Sequence, residues 1–229
     1  MEKMIVLNHK MSLEYDQVFD YINKINAVKT DNNIVICPSN IYLDSFINYC
    51  NWGIGSQNFS YRTSGNYTGD VSILQLKSMG IEYSLIGHYE RKKYFNETDE
   101  IIHKKLVLCL DSNIIPILCF GETGDIDDIK KSLDILLKDI AKIDFIIFAY
   151  EPLKVSKDVT IEQIRNDILS IYDYLFTKYH SRPNIIYGGG VSNDDINELL
   201  SIDNLNGILV GKVSSNADKI VKVIEGINK

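Results

Sequence analysis

Phe145-Ile-Ile-Phe-Ala-Tyr-Glu151-Pro152 is a run of apolar residues that ends on a carboxylate. Continuous apolarity over so short a length predicts a strand buried on both faces, as in a parallel sheet covered by helices. Pro152 disfavours helical geometry at the residue before it, so Glu151 is expected to stay extended as the last residue of that strand. A glutamate there is held by a rigid element where the chain leaves the core. In parallel α/β architectures that rim is where ligands bind. The competing reading is a glutamate that only marks the strand's exit to solvent.

Outward from this stretch, similar runs recur along the whole chain. They are Met4–Leu7, Ile34–Cys37, Trp52–Phe59 with glycines inside it, Tyr83–Ile86, Ile115–Cys119, Phe145–Ala149, Asn184–Tyr187 and Gly207–Val210, which makes eight candidate strands. Helical patterns lie between them. Val71–Met79 is closed by Gly80, a C-terminal stop. Ile102, Leu106, Cys109 and Leu110 mark one helical face, with Asp99 and Glu100 in the first turn. Ile129, Leu133, Leu136, Leu137 and Ile140 mark another, and Ile161 to Tyr179 is the longest. Ser192 or Asn193 is a candidate cap for a helix leading to Leu199 and Leu200, and a last helix runs near Ala217 to Ile224. Strand alternating with helix, with no Pro/Gly/Ser-rich linker, predicts one α/β domain over residues 1–229 with a parallel sheet. Eight units in this length fit a closed (β/α)8 barrel. The rival is an open doubly wound sheet, which would usually place a glycine-rich turn after the first strand; here Asn8-His9-Lys10 stands there.

Bulk properties narrow the function. With 24 basic and 31 acidic residues the net charge is −7, which argues against nucleic acid or an acidic membrane as a general partner. An anionic substrate then needs a positive potential built locally. No apolar run reaches the length of a membrane span, and the run at the start is too short for a signal peptide. Cys37, Cys50, Cys109 and Cys119 show no metal-ligand spacing. Three of them lie in or beside apolar runs, so buried thiols in a reducing cytoplasm are expected.

In a barrel the chemistry sits at the strand ends, and these ends carry suggestive residues. Asn8-His9-Lys10 follows the first strand, Gly87-His88-Tyr89-Glu90-Arg91 the fourth, and Cys119-Phe120-Gly121-Glu122-Thr123 the fifth. Glu151 follows the sixth, Gly188-Gly189-Gly190-Val191 the seventh, and Gly211-Lys212 the eighth. Each has a plainer reading. Lys10 fits a solvated loop lysine, His88 a hydrogen-bonded structural histidine, Glu90 and Arg91 an ion pair at a helix start, and Glu122 an acid at a helix N-terminus. The triple glycine fits close backbone approach to an anion at a helix start, and it also fits a tight turn. His9 and His180 have weak cases for chemistry, and His103 is expected at the surface. Together the rim groups form a definite set. A carboxylate can take a proton from carbon, an imidazole can polarise a carbonyl, a lysine can hold negative charge, and a glycine cradle can grip a phosphate. That set suits proton abstraction next to a carbonyl through an enediol-like intermediate. No nucleophile stands beside an obvious base, and no Cys/His/Asp cluster suggests a metal.

The chain resembles the triosephosphate isomerase family over essentially its whole length. The matching stretches are Asn8-His-Lys10-Met11, Ser56-Gln-Asn58, Ser64-Gly-Asn-Tyr-Thr68-Gly69-Asp-Val-Ser72 and Ile86-Gly-His88-Tyr-Glu90-Arg91. They continue with Tyr94-Phe-Asn-Glu97-Thr-Asp99, Pro116-Ile-Leu-Cys119-Phe-Gly-Glu122-Thr, Ala149-Tyr-Glu151-Pro152, Ile186-Tyr-Gly-Gly-Gly-Val191 and Leu209-Val-Gly211. The resemblance implies a single TIM barrel, an aldose–ketose isomerase of glyceraldehyde 3-phosphate and dihydroxyacetone phosphate, and no metal or cofactor. It implies Glu151 as the base, His88 as a neutral electrophile, and Lys10 with Asn8 as substrate ligands. Glu90 would brace them from behind. Gly189, Gly190, Gly211 and Lys212 fall at the expected phosphate end, with Lys157 of the lid as a further substrate contact. The loop from Asn58 to Asp70 implies a homodimer, because in the family it reaches a partner subunit's active site.

Departures gather at the phosphate end. The segment Pro152-Leu-Lys-Val-Ser-Lys-Asp-Val-Thr160 is about three residues shorter than the family's lid and has no glycine. The serine of the family's Gly-Gly-Ser-Val is Gly190, the second glycine of its Val-Gly-Gly is Lys212, and the serine after its histidine is Tyr89. Four departures around one ligand keep two alternatives open: an isomerase of another small sugar or phosphosugar, and a non-catalytic binding protein on the same fold.

Overall fold

Eight strands close into a parallel barrel in chain order, with β1 paired to both β2 and β8. The computed structural model describes residues 2–153, 159–190 and 196–227. The strands are β1 (Met4–Asn8), β2 (Asn33–Cys37), β3 (Gly53–Ser56), β4 (Tyr83–Ile86), β5 (Ile115–Phe120), β6 (Ile147–Tyr150), β7 (Asn184–Tyr187) and β8 (Leu205–Val210). Most of their residues are apolar, and they alternate inside and outside with a period of two. On β5, Ile117 and Cys119 point into the barrel with Val6, Val35, Leu85 and Ala149, while Leu118 and Phe120 face the surrounding helices. Both faces are therefore buried, which is why the strands read as unbroken apolar runs. Closure depends on Gly207, where a Cβ would lie 1.9 Å from the Met4 carbonyl oxygen, so no larger residue lets β8 approach β1.

The helices are α1 (Tyr15–Asn26), α2 (Leu43–Tyr49), α3 (Ile73–Ser78), α4 (Tyr89–Phe95), α5 (Asp99–Asp111), α6 (Ile126–Leu136), α7 (Ile161–Tyr179), α8 (Ile196–Leu200) and α9 (Ala217–Ile227). Several start on the side-chain caps their sequences offer. Thr98 accepts from the Ile101 N–H, Thr160 from the Gln163 N–H, and Asp125 from the N–H groups of Asp127 and Asp128. α7 keeps its expected limits, and no described helix is long and apolar enough to cross a membrane.

Several boundaries differ from expectation for physical reasons. β6 begins at Ile147, and Phe145 lies in a turn with 69% exposure, so the apolar run overstates the strand. Glu151 follows Tyr150, the last strand residue. The third strand is only Gly53–Ser56, and Ile140 lies beyond the end of α6. His103, expected at the surface, is half-buried with Nδ1 3.1 Å from the Leu136 carbonyl oxygen. Glu122 does not sit in a helix: it precedes the cap Asp125 and accepts from Lys92 Nζ at 2.5 Å. The proposed caps Ser192 and Asn193, and Lys157, lie outside the described residues.

Candidate active site

The chain leaving β1 turns sharply at Lys10, whose φ of 53° is left-handed. For a residue with a Cβ that costs about 1 kcal/mol or more. Hydrogen bonds from other strand ends hold it. The Lys10 carbonyl accepts from Ser39 Oγ at 2.8 Å and from Gln57 Nε2 at 2.9 Å, and its N–H donates to Asn8 Oδ1 at 3.1 Å. Ser214 Oγ donates to the Asn8 carbonyl at 2.6 Å. The loops after β1, β2, β3 and β8 are thus tied around one lysine. Its Nζ donates to Glu90 Oε1 at 2.5 Å. The plainer reading, an ion pair between Glu90 and Arg91, does not hold, because Arg91 Nε instead donates to Glu97 Oε1 at 2.9 Å.

His88 caps α4, and its Nδ1 accepts from the Glu90 N–H at 3.3 Å. That assignment leaves the ring proton on Nε2, the nitrogen 3.6 Å from Glu151 Oε1. Burial first, and then the nearby Lys10 charge, lower the imidazole pKa to about 4 against the opposing pull of Glu90. The ring is therefore a neutral donor near pH 7.

Glu151 leaves β6 with its N–H bonded to the Phe120 carbonyl at 2.8 Å. Its carboxylate is buried, and Oε2 has no protein partner among the described residues. Burial raises its pKa to about 7; a hydrogen bond from the Cys119 thiol and the charge of Lys10 oppose the rise, and Glu90 and Glu122 add to it. Room for this side chain comes from β7's end. A Cβ on Gly188 would lie 2.6 Å from Glu151 Cγ and 3.0 Å from Oε1.

Lys10, His88 and Glu151 line one cleft of about 330 Å3, as do Gly189, Gly190, Gly211 and Lys212. That volume suits a small ligand. Asn8 does not line it: the side chain is buried and its Oδ1 is taken by the Lys10 N–H. Glu90 stands behind Lys10, also off the cleft wall. A carboxylate, a neutral imidazole N–H and an ammonium around one small cavity can remove a carbon-bound proton and hold the charge that develops on oxygen.

The sequence reading missed the residues that hold this set in place. Ser39 and Ser214 carry no motif that marks them. Gln57 lay in a matched stretch but had no assigned role. Lys105 did leave a signal, since it occupies the apolar face of α5 between Ile102, Leu106 and Cys109. It is 2% exposed and donates to Glu97 Oε1 and Asn58 Oδ1, each at 2.7 Å. Lys105 therefore ties α5 to the base of the 58–70 loop, and Glu97, which also accepts from Arg91, links it to α4.

The profile of the family described as triosephosphate isomerase matches residues 3–227. A triosephosphate isomerase of Ehrlichia chaffeensis is 33% identical over 235 residues, covering 99% of this chain and 97% of that protein. One from Thermodesulfovibrio yellowstonii is 34% identical, covering 98% and 99%. Another, from Aquifex aeolicus, is 31% identical with 98% and 99% covered. Matched end to end on both sides, and carrying an amine, an imidazole and a carboxylate at one mouth of a closed parallel barrel, this chain belongs to the triosephosphate isomerase family.

Proposed function

We propose that the chain, acting as one barrel domain, interconverts glyceraldehyde 3-phosphate and dihydroxyacetone phosphate. The observation that carries this reading is a buried carboxylate set 3.6 Å from an imidazole Nε2, on the same cleft as Lys10. Glu151 removes the proton from the carbon next to the carbonyl. The C–H electron pair becomes the carbon–carbon double bond, and the carbonyl pair moves onto oxygen as an enediolate. His88 donates from Nε2 to that oxygen and passes the proton between the two oxygens, while Lys10 offsets the negative charge. Protonated Glu151 then returns the proton to the neighbouring carbon. The backbone at Gly189, Gly190 and Gly211, with Lys212, and Lys157 from the lid, are assigned to the phosphate group. Asn8 is assigned a supporting contact made through Lys10, with Glu90 bracing the same amine.

Steady-state assay on the triose pair tests this. Glu151→Gln should lower kcat by about 10²–10⁴-fold, the usual contribution of a general base. Because the base works only when ionised, kcat/KM should also fall as pH drops through the Glu151 pKa near 7. A wild-type chain that ignores both trioses, and turns over a longer phosphosugar instead, would refute the assignment.

The 58–70 loop supports self-association into a homodimer. Its tip is exposed, and there Arg62 donates to the hydroxyls of Tyr61 at 2.7 Å and Tyr67 at 2.5 Å, which stiffens it beyond the buried anchor Phe59. Neighbouring rim residues Met11, Tyr94 and Phe95 are 95%, 62% and 61% exposed, so apolar surface awaits a second copy. Sedimentation equilibrium decides it: a monomer at micromolar concentration ends the dimer reading.

A further inference from the structure

We propose that Tyr89 is a positioning residue of this site, its ring fixing the plane of the His88 imidazole and the place of the Lys10 ammonium over the cleft. The kinetic consequences rest on the isomerase reading; the geometry does not. Tyr89 opens α4, a helix with no buried residue, so no core contact calls for an aromatic side chain there. The ring instead lines the cleft. Its centroid lies 5.1 Å from that of the imidazole, tilted by 33°, within the range of favourable ring pairs. Lys10 Nζ lies 5.7 Å from the same centroid, within reach of a cation–π attraction.

Each reacting group is therefore held from two sides. The imidazole is fixed along its edge by the Glu90 N–H on Nδ1 and across its face by the tyrosine ring. The ammonium is held by the Glu90 carboxylate and by the ring's negative face. The charged and titratable groups around the imidazole are Lys10 from the end of β1, Glu90 from α4, and Glu151 from the end of β6. The tyrosine hydroxyl makes no hydrogen bond among the described residues, so the ring face, not the phenol, makes these contacts. A serine, the residue that the family resemblance leads one to expect here, offers no ring face.

The test compares Tyr89→Phe, Tyr89→Ser and wild type in the full chain, with melting curves to confirm folding. Tyr89→Phe should keep kcat within about twofold, while Tyr89→Ser should lower kcat about tenfold or more and change KM less. Nitrogen-15 NMR of the histidines should show His88 of Tyr89→Ser binding its proton at least about tenfold more tightly than wild type, with Tyr89→Phe unchanged. If the serine variant does not fold, Tyr89→Leu keeps bulk without a ring face and should show the same losses. A serine or leucine variant with wild-type kcat and an unmoved His88 titration overturns the proposal. So does a phenylalanine variant that loses as much as serine, because the hydroxyl would then be responsible. Should wild type fail to turn over either triose, the isomerase reading falls, and the His88 titrations alone decide for or against Tyr89.

Discussion

His9 stands between two residues assigned to the site, yet it faces the core, and it should govern how the protein tolerates acid. Its ring is 2% exposed and packs edge-on against Tyr21 at 4.5 Å and Phe46 at 5.5 Å. Neither ring nitrogen has a protein partner among the described residues. With nothing to compensate a charge, burial lowers its pKa from 6.5 to about 3. The unfolded chain therefore takes up this proton first as pH falls. Stability from this residue is complete above about pH 6.5 and is lost progressively down to about pH 3. The drop in affinity corresponds to about 4–5 kcal/mol across that window, at about 1.4 kcal/mol for each pH unit. A typical domain has about 5–15 kcal/mol in total, so one imidazole can decide whether the fold survives at pH 4. Urea unfolding of wild type and His9→Phe, at matched protein concentration and at steps from pH 7 to pH 4, measures it. Phenylalanine is larger than imidazole and can cost about 1–3 kcal/mol by overpacking, but that offset does not depend on pH. The difference between the two stabilities should grow in favour of His9→Phe by about 1 kcal/mol or more per pH unit below 6. Parallel curves would show that His9 takes up its proton equally in the folded and unfolded states, and would refute the reasoning.

Two further substitutions probe the supports of the cleft. Gly188→Ala places a Cβ 2.6 Å from Glu151 Cγ, so the carboxylate must move; Gly188 has no positive φ, and the backbone accepts alanine. Melting temperature should change little while kcat falls about 10–100-fold, as a displacement near 1 Å commonly costs; unchanged kcat would mean that the base has freedom the packing denies. Lys105→Met removes a buried cation from Glu97 and Asn58. Leaving Glu97 with Arg91 alone should destabilise the fold by about 3 kcal/mol, the lower end for a broken buried pair. Equal melting temperatures for variant and wild type would show that the network is neutral.

The barrel was legible in the sequence because its strands are buried on both faces, and runs such as Tyr83–Ile86 and Asn184–Tyr187 coincide with β4 and β7. What escaped were elements without a clean apolar stripe. α4 buries no residue at all, and α2 buries only Leu43 and Phe46. α1 is different: Val18, Tyr21, Ile22 and Ile25 do form a stripe at helical spacing, and the sequence reading passed over it. At the site, Lys10, His88 and Glu151 could be picked out because strand ends are where a barrel exposes chemistry. Their partners could not. Glu90 was placed behind the site only through the family resemblance, since its neighbour in sequence is Arg91 and not Lys10, and Gly188 read as part of an anion cradle although its missing side chain makes room for Glu151. Such choices are made by tertiary contact, and local pattern carries no trace of them.

One physical cause shifts two residues in opposite directions. Burial disfavours whichever form of a group is charged, so it lowers the pKa of His88 and raises that of Glu151. The imidazole is thereby kept neutral, able to donate from Nε2 without the strong acidity of an imidazolium, which a nearby carboxylate would quench by taking its proton. The carboxylate is made basic enough to accept a proton from carbon, yet it still ionises close to neutral pH. Lys10 acts on the two shifts in opposite ways: its charge favours ionised Glu151 and so limits that rise, and it disfavours protonated His88 and so deepens that fall. Its own charge is balanced by Glu90 at 2.5 Å, with both side chains near one-third exposed and so still in contact with water. A deeper lysine would need a stronger partner, and a stronger partner would leave less field for an enediolate oxygen. The half-exposed Lys10–Glu90 pair beside the buried His88–Glu151 pair is thus the arrangement in which base, donor and counter-charge can all act at one pH.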